Sequence, residues 1–151
     1  MGFGACHTEY VISDGRVRLI EVNYRLIGDR MDLILAELLG VPLFEYVIRL
    51  HLGESLPTLG LPGTADRYAQ VEYVCADRSG RLVAAPGRLD TVHGDVQLGC
   101  HPLREVGRTA EHTGTNRDYL AVLHAIGPDE PTVARSLETF RATSSGPSSS
   151  E

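Results

Sequence analysis

His7-Thr8-Glu9-Tyr10-Val11-Ile12-Ser13-Asp14-Gly15-Arg16-Val17-Arg18-Leu19-Ile20-Glu21-Val22-Asn23 is the stretch on which the fold depends. Two runs rich in β-branched and aromatic residues flank Ser13-Asp14-Gly15, a cluster of turn formers, so the segment reads as a β-hairpin. Side chains alternate between the faces of a strand, so Glu21 and Asn23 point the same way. The turn decides whether Glu9 joins them. A two-residue turn at Asp14-Gly15 pairs Ser13 with Arg16 and Glu9 with Ile20, which puts the two glutamates on opposite sides. A three-residue loop pairs Ile12 with Arg16 and Glu9 with Leu19. His7, Glu9, Glu21 and Asn23 then share one face, with Glu9 and Glu21 as diagonal neighbours roughly 7–8 Å apart at the backbone.

Downstream, Met31, Leu33, Ile34, Leu35, Leu38 and Leu39 form an apolar stripe that predicts a helix from Asp29 to Leu39, with Asp29 as its cap and Gly40 as its stop. Pro42 suits the first position of a second helix running to Gly53. Leu56 to Gly63 is a connector rich in Pro and Gly, and beyond it the pattern turns to strands. These are expected at Tyr68 to Ala76, Arg81 to Ala85, Arg88 to His93, Val96 to Leu103 and Tyr119 to Ile126. A final helix is expected from Glu130 to Arg141. The expected class is α+β, divided into residues 1–56, 57–142 and a disordered tail at 143–151.

Composition narrows the function classes. The 151 residues carry 14 basic and 20 acidic side chains, a formal charge of −6, which argues against a broad nucleic-acid surface. No apolar run approaches the roughly 18–20 residues of a membrane span, and the first residues do not resemble a secretory signal. Cys6, Cys75 and Cys100 are scattered and odd in number, which suits reduced thiols in a cytoplasmic protein.

The chemistry concentrates at the hairpin. Two carboxylates and an amide oxygen, from Glu9, Glu21 and Asn23, are hard oxygen ligands of the kind magnesium takes when it shares its shell with nucleotide phosphates. Arg25 would continue the same side if the strand persisted, and its guanidinium fork suits a phosphate or acyl-phosphate. On spacing alone, the commoner reading of the same residues is a solvated hairpin face followed by a helix cap. His51, His93, His101, His112 and His124 are scattered and read as structural or exposed.

Gly4-Ala5-Cys6-His7-Thr8-Glu9-Tyr10 and Arg18-Leu19-Ile20-Glu21-Val22-Asn23-Tyr24-Arg25-Leu26-Ile27-Gly28-Asp29 resemble the metal-binding segment of ATP-grasp carboxylate–amine ligases. Arg49 to Glu54, Leu103 to Gly107 and Thr113 to Leu120 extend the resemblance over residues 2–142. It implies the C-terminal half of that fold, with residues 1–56 ending the catalytic domain and 57–142 forming a β-rich lobe. Glu9, Glu21 and Asn23 would hold magnesium or manganese, and Arg25 would act on the transferring phosphoryl group. Tyr24 and Ile27 depart from the commonest pattern, and the wording is closest to amino-acid ligases of siderophore and peptide natural-product pathways. The family's ATP-clasping lysines and glycine-rich phosphate loop lie upstream of this motif and are missing from these residues. The expectation is therefore a fragment or split subunit, inactive alone. It would bind ATP only with an upstream half and act on small carboxylates and amines. The alternative is a non-catalytic interaction or dimerisation module built on the same fold.

Overall fold

Asp14 and Gly15 both adopt positive φ, 52° and 71°, the backbone twist that joins antiparallel strands through two residues. The computed structural model describes residues 4–60 and 65–144. They belong to two compact units, 1–64 and 65–151. The architecture is α+β, with three helices and antiparallel sheets of two, four and two strands among the described residues.

In the first unit, β1 (His7–Ser13) pairs with β2 (Arg16–Asn23). Of the two turns considered, the two-residue one forms, with Ser13 opposite Arg16. The register then shifts between Glu9 and Tyr10: Tyr10 faces Leu19, Glu9 faces Glu21, and Ile20 is the extra residue of a β-bulge. The two-residue alternative thus has the turn right, and neither alternative has the partner of Glu9. Glu9 and Glu21 are directly opposed, and the next pair on that face is His7 with Asn23.

The helix α1 (Met31–Leu39) begins two residues later than expected. Asp29 and Arg30 have φ of 47° and 67°, so the chain enters the helix through left-handed residues and no side-chain cap forms. Asp32 instead accepts hydrogen bonds from the backbone N–H groups of Ile27 and Gly28, at 2.9 and 2.8 Å, and ties the preceding loop to the helix. Gly40 ends α1 at φ 65°, with the Val41 N–H returning to Ala36 O. Pro42 stands just before α2 (Leu43–His51) and not inside it. The Arg49 fork grips both carboxylate oxygens of Glu54 and also reaches Glu45, which fastens the chain leaving α2 and leads into a short 3-10 turn, Leu56–Leu59.

In the second unit, β3 (Tyr68–Cys75), β5 (Leu89–His93), β6 (Val96–Pro102) and β8 (Tyr119–Gly127) form an antiparallel sheet in the order β3-β8-β6-β5. Val96, Leu98, Cys100, Ala121, Leu123 and Ala125 project to one face, where α3 (Glu130–Ser144) lays Val133, Leu137 and Phe140 over them. Each aliphatic side chain so buried contributes about 1.5–3 kcal/mol, and this cluster is the core of the unit. The expected return strand at Arg81 to Ala85 is only β4 (Gly80–Arg81), and its partner is β7 (Thr109–Ala110) instead of β3. The final helix runs three residues past Arg141. Of the tail expected to be disordered, 145–151 lies outside the described residues, as do 61–64 of the connector.

Candidate functional site

Face by face, the hairpin is two-sided. His7, Glu9, Arg18, Glu21 and Asn23 share one surface, while Tyr10, Ile12, Val17, Leu19 and Val22 share the other, as alternation and the bulge at Ile20 require. Directly opposed residues hold their Cβ atoms roughly 4.5–5.5 Å apart, and like charges so placed repel. The Glu9 side chain is 56% exposed, so water screens much of that repulsion. A cation between the two carboxylates would remove it.

His7 organises the neighbouring pair. Its Nδ1 lies 3.2 Å from Arg25 O and its Nε2 3.1 Å from Asn23 Nδ2. A carbonyl can only accept, so Nδ1 carries the proton and Nε2 accepts from the Asn23 amide. That leaves the Asn23 oxygen as the amide's remaining donor atom for a ligand. Glu9 Oε1 is 3.6 Å from the same Nε2, which brings His7, Glu9 and Asn23 together on one patch. Arg25 departs from the arrangement. The strand ends at Asn23, and the guanidinium Nη1 donates to Leu26 O and Ile27 O at 2.9 and 2.8 Å.

Among the described residues, no group of three or more His, Cys, Asp and Glu side chains is placed to hold a metal ion. The donor set at the hairpin is a different one, two carboxylates and one amide, all oxygen. It suits a hard divalent cation that completes its shell with water and phosphate oxygens.

Two further groupings in the second unit were not foreseen. Asp90 on β5, His101 on β6 and His124 on β8 converge: His101 Nε2 is 2.9 Å from Asp90 Oδ1, and the two imidazoles stack at 5.4 Å. Both histidines are buried. Burial pushes the Asp90 carboxyl up, but the hydrogen bond from Arg88 and the fields of His101, Arg88 and His124 outweigh it and hold the group below its ordinary value. Gly99 makes the packing feasible, since a Cβ there would collide with the His124 ring. A glycine inside a strand was the signal for this close approach. The second grouping is a cavity of about 220 Å³ lined by Arg78, Arg81, Arg104, Arg108 and Arg117.

No protein-family model and no solved structure matches the chain. Among the described residues, no helix is long and apolar enough to cross a membrane.

Proposed function

We propose that the hairpin is the divalent-cation site of an ATP-dependent carboxylate–amine ligase of the ATP-grasp type. The observation that carries this reading is the pairing of Glu9 with Glu21, beside His7 with Asn23, on one face of a bulged ribbon. In this reading Glu9, Glu21 and the Asn23 oxygen hold magnesium or manganese. The bound cation would neutralise the charge of the phosphates that share its shell. The reaction class is amide formation: a carboxylate takes the γ-phosphoryl group of ATP, releasing ADP, and an amine then displaces phosphate from the acyl-phosphate. Catalysis in such a reaction is positioning and charge stabilisation. Arg25 serves it by exchanging its bonds to Leu26 O and Ile27 O for oxygens of the phosphoryl group, whose charge makes them the stronger acceptors. Nucleotide contacts come from outside these residues, through an upstream segment or a separate polypeptide. The small-molecule substrates, and a pathway of the siderophore or peptide type, belong to the same proposal.

Manganese titration followed by electron paramagnetic resonance tests the site on the chain itself. Glu9→Gln combined with Glu21→Gln should weaken binding by roughly a hundredfold, as expected when both carboxylates of a hard-cation site are lost. Unchanged manganese affinity in that variant would remove the reading.

A second reading rests on a different observation. Ile12 and Val17 on the opposite hairpin face are 74% and 64% exposed. An apolar ribbon face of this kind is a surface for another protein or a second copy, and the chain would then act as an association module. Sedimentation distinguishes the two: Ile12→Ser with Val17→Ser should abolish association under the second reading and leave manganese binding intact.

A further inference from the structure

We infer that the arginine-lined cavity of the second unit is a binding site for a small organic anion. It lies within the second unit, between the β4–β7 pair and the segment where β3 ends and β8 begins.

The case begins with how the guanidinium groups are held. Arg81 Nε donates to Gly107 O at 3.0 Å, and Arg104 Nη2 donates to Arg117 O at 2.9 Å. A carbonyl fixes an arginine's direction without cancelling its charge, so both forks are oriented and still cationic. Arg78 and Arg108 have acidic neighbours only at 3.6 and 3.9 Å, in Asp77 and Glu105, and both pairs are solvent-exposed. Such pairs neutralise little. The buried carboxylate at the cavity wall is Asp118, and its oxygens are occupied by the N–H groups of Thr113, Gly114 and Thr115 and by the Thr113 hydroxyl. It is therefore unavailable to the arginines.

Asp77, Glu111 and Asp118 also line the cavity, so five arginines meet three carboxylates and a formal excess of +2 remains in a chain whose formal charge is −6. Guanidinium forks recognise carboxylates and phosphates with two parallel hydrogen bonds. Leu82, Val83, Ala84 and Leu120 supply an apolar wall to the same cavity, so the fitting ligand has an oxyanion head and a short hydrocarbon body. A volume near 220 Å³ suits a small molecule.

The test is titration of the whole chain with sodium butyrate, its neutral isostere butyramide, and inorganic phosphate, followed by NMR of the backbone amides and the arginine Nε–H groups. Butyrate should shift signals from residues 76–84 and 104–120 and bind roughly tenfold more tightly than butyramide. Saturable phosphate binding on the same residues, competing with butyrate, would assign the head group to either oxyanion. Arg108 and Arg117 use their guanidinium groups in no backbone hydrogen bond among those described, so Arg108→Gln/Arg117→Gln removes charge without loosening the cavity. This variant should weaken butyrate by roughly tenfold at an unchanged melting temperature. The proposal is overturned if neither anion shifts these residues, or if butyramide binds as well as butyrate. Equal butyrate affinity in the folded double variant would overturn it too, and the wild-type comparison decides the matter if the variant fails to fold.

Discussion

His7 does its work through Asn23. Its Nε2 accepts from the asparagine amide while Nδ1 is spent on Arg25 O, so under the ligase reading the side-chain oxygen of Asn23 is set by a neighbour that would not itself touch the cation. If that is its role, His7→Ala should lower manganese affinity by about tenfold, in the range found for partners that orient metal ligands. His7→Gln should restore most of it, because a glutamine oxygen can accept from the same amide. Without any metal, the Asn23 Nδ2 protons should lose their hydrogen-bonded NMR shift in His7→Ala and keep it in His7→Gln. A second residue, Asp118, is consumed by structure. The Thr113 N–H, joined by the Thr113 hydroxyl and the N–H groups of Gly114 and Thr115, holds its carboxyl below the usual carboxylate range against the opposing effect of burial. The unfolded value is about 3.9, and the folded value is lower. The linked stability is therefore fully present above roughly pH 4 and is lost as pH falls through the folded value. Melting temperatures of the wild type and Asp118→Asn should differ most near neutrality and converge towards pH 2.

At the scale of elements, Gly99 on β6 has less room for a side chain than Gly127, the glycine at the end of β8. It sits opposite His124 on β8 and opposite Asp90 on β5, and any Cβ there displaces the His124 ring. Gly99→Ala should cost about 1–3 kcal/mol, the usual range for overpacking a close-fitted interior. Adding His124→Ala should recover part of that cost, since the two changes share one space; urea unfolding measures both. The elements also show where sequence patterning carries information. Runs of β-branched, aromatic and apolar residues located β1, β2, β3 and β8, and the apolar stripe located α1, because both are properties of a single segment. The Glu9–Glu21 arrangement was only partly legible. A bulge and a three-residue loop both bring the acids to one face, and Ser13-Asp14-Gly15 does not distinguish them. The β4–β7 pair and the Asp90–His101–His124 grouping depend on which distant strands meet, and no local period records that.

Across the whole molecule, buried apolar surface is distributed unevenly. The second unit owns a sheet-and-helix core from Val96 to Phe140, whereas Ile34 and Leu59 are the fully buried hydrophobic residues among those described in the first. Local stability follows buried contacts. Hydrogen exchange should therefore find amides of β6 and β8 exchanging slowest, and those of β1 and β2 orders of magnitude faster. Equal protection of the hairpin and the central sheet would contradict this distribution. Addition of manganese should slow exchange in the hairpin under the ligase reading, because a ligand that binds only the folded state stabilises it.

The extra residue at Ile20 makes the ribbon sensitive to odd and even counts. A tight turn alone would set Glu9 against Ile20; one unpaired residue restores the meeting with Glu21. Removing Ile20 should straighten β2 into a regular ladder and leave the two acids still opposed. One residue added within the paired part of either strand, with the bulge kept and no second irregularity, would send them to opposite surfaces. Loss of the bulged residue is thus tolerable, whereas a residue gained within either paired strand is tolerable only when a second irregularity compensates it.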